Sequence, residues 1–216
     1  MKKLIIFDLD GTLLNTIADL ATATNQALAF YGYPTHDIPQ YKYFVGNGIN
    51  KLFERALPEG KKDSENVLKI RECFIPYYNE HLTDFTQPYP GIPELLETIQ
   101  QHNILIAVAS NKYQQATGKL IPHFFPNIKF TAIFGQRDGV PRKPDPTIVF
   151  DIMEIAGVSK DEVLYCGDSN VDMQTAANAG VDGIGVTWGF RPRTELEKEH
   201  PFAIIDTAEE ILKYLV

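Results

Sequence analysis

The chain has 216 residues, 44% of them hydrophobic, which suffices for one packed core and an accessory unit. A net charge of −8 argues against nucleic acid or an anionic membrane as partner. Cys73 and Cys166 lie far apart in no CxxC pattern and read as free thiols; the apolar run after Lys3 stops at Asp8 and no segment approaches a membrane span, so the expected location is the cytoplasm.

The first predicted strand is "LIIF", Leu4–Phe7. A long stretch with little strand signal follows. Within it Thr16–Tyr31 carries a helical stripe of Ile17, Leu20, Ala21, Ala27, Leu28 and Tyr31, ended by Gly32. Ile49–Leu57 and Ser64–Leu82 also read as helices, with a kink expected at Pro76. "QPYPGIP", Gln87–Pro93, marks the chain's return. Next come a helix at Ile92–His102 with Pro93 in its first turn and strands at Ile104–Ala109 and Phe130–Phe134. A helix at Asp145–Ala156 stops at Gly157, a strand follows at Glu162–Cys166, and a helix at Ser169–Ala179 stops at Gly180. Strands at Gly183–Trp188 and Phe202–Ile205 complete the series. These strands are continuously rather than alternately apolar, as in a parallel sheet covered on both faces. The expected fold is therefore α/β: a doubly wound parallel sheet formed by residues 1–14 and 82–216, with an all-helical insert at residues 15–81.

Ligands of such sheets bind beyond the carboxyl ends of the strands. Those ends hold Asp8 and Asp10, then Ser110-Asn111, then Lys143 in "RKPDP", then Asp168 and Asp172 in "CGDSNVD". Extended chain would point Asp8 and Asp10 into one site with the Leu9 side chain turned away, and a helix starting at Asp168 would put Asp168 and Asp172 one turn apart. Ser110 is expected to open a helix whose free N–H groups favour an anion. With Lys143 the only cation in view, so many carboxylates would repel one another unless a metal joined them, and an all-oxygen donor set suits Mg²⁺ beside a phosphoryl group. Singly, each motif has a plainer reading: a turn at Asp8–Gly11, helix caps at Ser110 and Asp168, a solvated loop lysine at Lys143. Their joint occurrence at successive strand ends favours the site. A calcium loop starting at Asp8 is rejected because its sixth and twelfth positions hold Leu13 and Asp19, and "VGNGIN" lacks the third glycine of a dinucleotide fingerprint.

"DLDGT", "ASN", "RKPDP" and "GDSNVD" together resemble the four motifs of the haloacid dehalogenase superfamily, over essentially the whole chain. The insert is similar to that family's first-position cap, and "VGNGINKLFERAL" and "GVTWGFRPRTEL" resemble stretches of its phosphoglycolate phosphatases; Asn15 departs from the Asp common there. The resemblance implies a Mg²⁺-dependent phosphate monoester hydrolase, with phosphoglycolate the preferred substrate among small phosphorylated metabolites. It casts Asp8 as nucleophile forming an aspartyl-phosphate and Asp10 as general acid and base. Mg²⁺ would be held by the Asp8 carboxylate, the Asp10 carbonyl and Asp168, with Asp172 orienting Lys143 or a metal-bound water. Phosphate would meet the Leu9 backbone, Ser110, Asn111 and Lys143, and the Gly46-Asn47-Gly48 loop would contribute specificity. A phosphosugar mutase and a pyrophosphatase of the same superfamily remain open, although mutases carry a histidine where Leu20 stands. Outside enzymes, a phosphorylation-dependent receiver or binding module is disfavoured: receivers place the acceptor Asp after an interior strand, and here every catalytic position is filled. No uninterrupted apolar stripe marks an oligomer interface.

Overall fold

The computed structural model describes residues 1–215. Its elements run in the order β1 (Leu4–Phe7), β2 (Leu14–Asn15), α1 (Ile17–Phe30), α2 (Ile38–Phe44), α3 (Ile49–Ala56), α4 (Ser64–His81), β3 (Gln87–Pro88), α5 (Ile92–Gln101), β4 (Leu105–Tyr113), α6 (Gln114–Phe124), β5 (Phe130–Gln136), α7 (Thr147–Ala156), β6 (Val163–Gly167), α8 (Asn170–Ala179), β7 (Asp182–Val186), α9 (Arg193–Glu197) and β8 (Ala203–Ile205). A 3₁₀ segment over Ala208–Tyr214 follows.

Six strands form one sheet in the order β5-β4-β1-β6-β7-β8, and every pairing is parallel. β1 is central: Ile5 lies opposite Ile106 on one side and Leu164 on the other. Its four side chains are fully buried but alternate between two cores. Leu4 and Ile6 pack with Ile148 and Ile152 of α7 and Ala176 and Ala179 of α8. Ile5 and Phe7 join Leu95 and Ile99 of α5, Leu120 of α6 and Ile211 of the 3₁₀ segment. Burial on both faces explains why "LIIF" is apolar at every position, and each such side chain contributes about 1.5–3 kcal/mol.

The insert consists of α1–α4, and its core, with Tyr41, Phe53, Phe74 and Tyr78 fully buried, is continuous with the second of those cores. α2 escapes sequence reading because it is only seven residues long with Pro39 in its first turn; the Gln40 side chain closes its start by accepting from the Asp37 N–H at 2.9 Å. α4 runs continuously through Pro76 to His81. The chain leaves and re-enters the sheet through the short antiparallel pair β2–β3. Beside it lies Asp19 on α1, only 3% exposed, which accepts from the N–H groups of Phe85 (3.0 Å) and Thr86 (2.9 Å) and from the Thr86 hydroxyl (2.7 Å). This carboxylate ties the outgoing chain to the returning one. Both cysteines are free, and among the described residues no helix is long and apolar enough to cross a membrane.

Asp19→Ala would leave those donors without a buried acceptor. It is expected to cost roughly 1.5–3 kcal/mol, read as a melting temperature about 3–12 °C lower. A melting temperature within 1 °C or so of wild type would show that solvent replaces the carboxylate without penalty.

Candidate active site

β1, β4 and β6 end side by side, and the segments leaving them meet over the carboxyl edge of the sheet. Asp8 and Asp10 follow β1 in a turn, not in extended chain, because the Leu9 carbonyl accepts the N–H groups of Leu13 (3.1 Å) and Leu14 (3.0 Å). Both aspartates still line one cleft, and Leu9 is fully buried beneath them. Their partners differ. Lys143 Nζ lies 2.9 Å from Asp8 Oδ1, but its hydrogen bonds go to Asp172 Oδ1 (2.7 Å) and the Tyr165 hydroxyl (3.0 Å), leaving Asp8 Oδ1 buried without one. Asp10 instead accepts from the Thr16 hydroxyl at 2.7 Å and from Lys112 Nζ at 3.1 Å.

Two expectations about β4 are corrected here. Ser110 and Asn111 do not open a helix: the strand continues through them to Tyr113, and α6 starts at Gln114. The extension brings in Lys112, two residues beyond Ser110 and only 6% exposed, so Lys143 is not the sole cation of the cluster. The ladder between β4 and β5 is irregular after Ala109 and resumes at Tyr113–Gln136, so Lys112 lies between two paired positions. Asn111 acts as a clamp: its amide nitrogen donates to the carbonyls of Lys143 (3.1 Å) and Gly46 (3.0 Å), and its oxygen accepts the Lys143 N–H (2.9 Å). Lys143 is accordingly a buried side chain rather than a solvated loop residue.

After β6, Asp168 precedes its helix instead of lying on it; Ser169 caps α8 and Asp172 occupies the first turn. Asp172 Oδ2 accepts from the Ser169 hydroxyl at 2.6 Å while Oδ1 holds Lys143, so both of its oxygens are engaged. Asp168 Oδ2 accepts the Phe190 N–H at 2.6 Å. Carboxylate oxygens of Asp8, Asp168 and Asp172 lie within 4.8 Å of one another, an arrangement able to hold a metal ion. The Asp10 carboxylate is outside that group. Burial, opposed by Lys143 and reinforced by Asp172 and Asp10, pushes Asp8 up to about 7. Burial, with Asp172 and Asp8 adding to it, also holds Asp168 well above the usual carboxylate range. Burial works against the charge of Lys143, yet Asp172 and Asp8 outweigh it and raise its pKa.

Three glycines make this packing possible. A Cβ on Gly11 or Gly189 would sit 2.3 Å from Asp168 atoms, and one on Gly167 would sit 2.3 Å from Asp172. Gly11 also has φ of +92°, disfavoured for any side-chain-bearing residue. Sequence reading gave Gly189 and Arg191 no individual role, although both lie in "GVTWGFRPRTEL", and did not single out Thr16 as a site residue. Lys112 had a signal: two acids leaving β1 need two bases, and Lys112 stands directly beside "ASN". The Gly46-Asn47-Gly48 loop borders the cleft and is hemmed in by arginines. Arg55 holds Asn47 (2.8 Å) and the Phe44 carbonyl (3.0 Å), Arg191 donates to the Val45 carbonyl (2.9 Å), and Arg142 lies 3.0 Å from where a Gly48 Cβ would be.

Residues 5–186 match the sequence model of the family described as haloacid dehalogenase-like hydrolases. The chain belongs to that family. A phosphoglycolate phosphatase of Pseudomonas syringae pv. tomato is 33% identical over 98% of the chain and 79% of its own length. One from Mannheimia succiniciproducens is 31% identical over 98% and 97%. The crystal structure of a Lactobacillus delbrueckii subsp. bulgaricus protein, proposed to be a phosphoglycolate phosphatase, is 33% identical and superposes with a TM-score of 0.92 over 100% of this chain and 99% of that one. This haloacid dehalogenase-like hydrolase is therefore a phosphatase, in the branch of those relatives.

Gly189→Ala tests the packing around Asp168. With the new methyl 2.3 Å from Asp168 Cβ, Asp168 must move; overpacking of roughly 1–3 kcal/mol would lower kcat/KM toward a phosphate monoester by about 5–150-fold if it falls on the site. Wild-type kcat/KM in a folded variant would mean that the position of Asp168 is not critical.

Proposed function

We propose that the protein is a Mg²⁺-dependent phosphoglycolate phosphatase working through a phosphorylated Asp8. The observation that carries this reading is the unequal surroundings of the two aspartates in one cleft. Asp8 is clustered with Asp168 and Asp172 beside Lys143, whereas Asp10 stands outside that cluster, held by Lys112 and the Thr16 hydroxyl. One group is set up to attack and the other to move a proton.

In this mechanism a carboxylate oxygen of Asp8 forms the new bond to phosphorus as the bond to the ester oxygen breaks. Asp10 gives that oxygen its proton. A water then attacks the aspartyl-phosphate, Asp10 takes the water's proton, and Asp8 is released with phosphate. Lys143, fixed by Asp172 and the Asn111 clamp, offsets negative charge on the phosphoryl oxygens, and Ser110 with the backbones of Leu9 and Asn111 would bind them. The close-set carboxylates of Asp8 and Asp168 and the surplus of buried acids fit a hard dication. Mg²⁺ would be held by Asp8, Asp168 and the Asp10 carbonyl and, when bound, supplies charge that keeps Asp8 ionised and screens the phosphoryl group. Asp172 is better suited to orienting Lys143, since both its oxygens are engaged.

Residues 15–81 would act as a cap over the core, shutting out water during the first step and contributing specificity through Gly46–Gly48. Contacts from Asn111 to Gly46 and from Arg191 to Val45 support this. Phosphoglycolate is favoured by the named relatives and by the basic residues around that loop. A cytoplasmic location would suit such a substrate.

Asp8→Asn should form no phosphoenzyme with any substrate. Asp10→Asn should slow alkyl phosphates by about 10²–10⁴-fold yet still be phosphorylated by aryl phosphates, whose leaving groups need no acid. A burst of phenol with phosphate trapped on Asp8, read by intact mass after acid quench and by peptide mapping, is the expected result. Phosphate on another residue, or alkyl phosphate turnover at the wild-type rate, would overturn the assignment.

A further inference from the structure

We propose that Arg191 reads the carboxylate of the substrate, an inference that rests on the phosphoglycolate reading and deepens it. Arg191 lies in the loop between β7 and α9 and lines the cleft that holds Asp8, Asp10 and Ser110. Its side chain is only 9% exposed. Nε sits 3.2 Å from Glu195 Oε1 and Nη2 donates to the Val45 carbonyl at 2.9 Å, but Nη1 is buried with no partner among the described residues. A buried guanidinium N–H left unpaired is costly, and a planar carboxylate is the group that satisfies it best.

The neighbouring charges single it out. Of the basic residues lining this cleft, Lys112 is committed to Asp10, whereas Arg191 keeps an N–H unspent. Lys143, behind Asp8, is committed to Asp172 and Tyr165. Arg55 adds positive charge nearby but spends its own N–H groups on Tyr43, Phe44 and Asn47. Arg191 is also well anchored at both ends. Its neighbour Phe190 fixes Asp168 through the backbone, and its Nη2 holds the insert at Val45. A carboxylate bound at Nη1 would thus be registered against both the phosphoryl site and the insert. The ligand class is a short phosphate monoester with a carboxylate at its far end.

The test compares 2-phosphoglycolate with 2-hydroxyethyl phosphate, in which a hydroxymethyl group replaces the carboxylate. The readout is the ratio of their kcat/KM values. Arg191→Gln is expected to lower that ratio by about 10–100-fold, and Arg191→Lys to retain part of it. Glu195→Gln, at a more exposed position, removes the competing intramolecular carboxylate and should raise the ratio about two- to fivefold. A purely structural role at Val45 would slow both substrates together, so an unchanged ratio in Arg191→Gln overturns the proposal while leaving the substrate reading intact. If Arg191→Gln does not fold, Glu195→Gln decides: a rise supports the proposal and no rise overturns it. A wild-type enzyme with no preference for phosphoglycolate instead overturns the substrate reading, and this inference with it.

Discussion

A surplus of buried negative charge governs this molecule. Asp8, Asp10, Asp168 and Asp172 converge on the carboxyl edge of the sheet, with two lysines to set against them. Asp10 has Lys112, and Asp172 shares Lys143 with Asp8. Among the described residues Asp168 has only the Phe190 N–H, the Thr12 hydroxyl at 3.4 Å and the more remote charge of Arg191. A protein interior tolerates such an imbalance only if the acids take up protons or a cation enters. The raised pKa of Asp8 is the protonated alternative, and a dication is the one that leaves Asp8 ionised.

Much of the surrounding structure serves to hold that imbalance in place. β1 is buried on both faces, so its end cannot shift without disturbing two cores. Gly11, Gly167 and Gly189 let backbone approach Asp168 and Asp172 at distances no side chain would allow. Asn111 ties the Lys143 loop to β4 and reaches the insert at Gly46, so the charged cluster and the insert share one clamp. Fold, electrostatics and access to the site are consequently linked through a few residues at strand ends.

The sheet was legible in the sequence because parallel strands buried on both faces are apolar throughout, and helices closing at Gly157 and Gly180 carry their own stop signals. Asp8, Asp10, Ser110, Asn111 and Asp168 could be gathered because each stands just past, or at the end of, an apolar run, whereas Asp172 and Lys143 were found through "GDSNVD" and "RKPDP". Boundaries were harder. Ser110 to Tyr113 are polar or mixed, yet they stay extended across an irregularity in the β4–β5 ladder that resumes at Tyr113–Gln136, a tertiary effect that propensity does not register. Lys112 was hidden by the same misplaced boundary. Asp19, Gly189 and Arg191 act across large sequence separations, through hydrogen bonds and close contacts that leave no periodic trace.

The central claim is that a divalent cation completes this cluster, and the most direct measurement is thermal unfolding against Mg²⁺ concentration for the wild type and Asp168→Asn. At about a hundred times its dissociation constant, a single bound ion should stabilise the wild type by about 2.7 kcal/mol and raise its melting temperature by about 5–11 °C. Asp168→Asn should fold but lose most of that rise. A wild type that Mg²⁺ leaves unmoved at every concentration, or a variant that responds as strongly, would contradict the account.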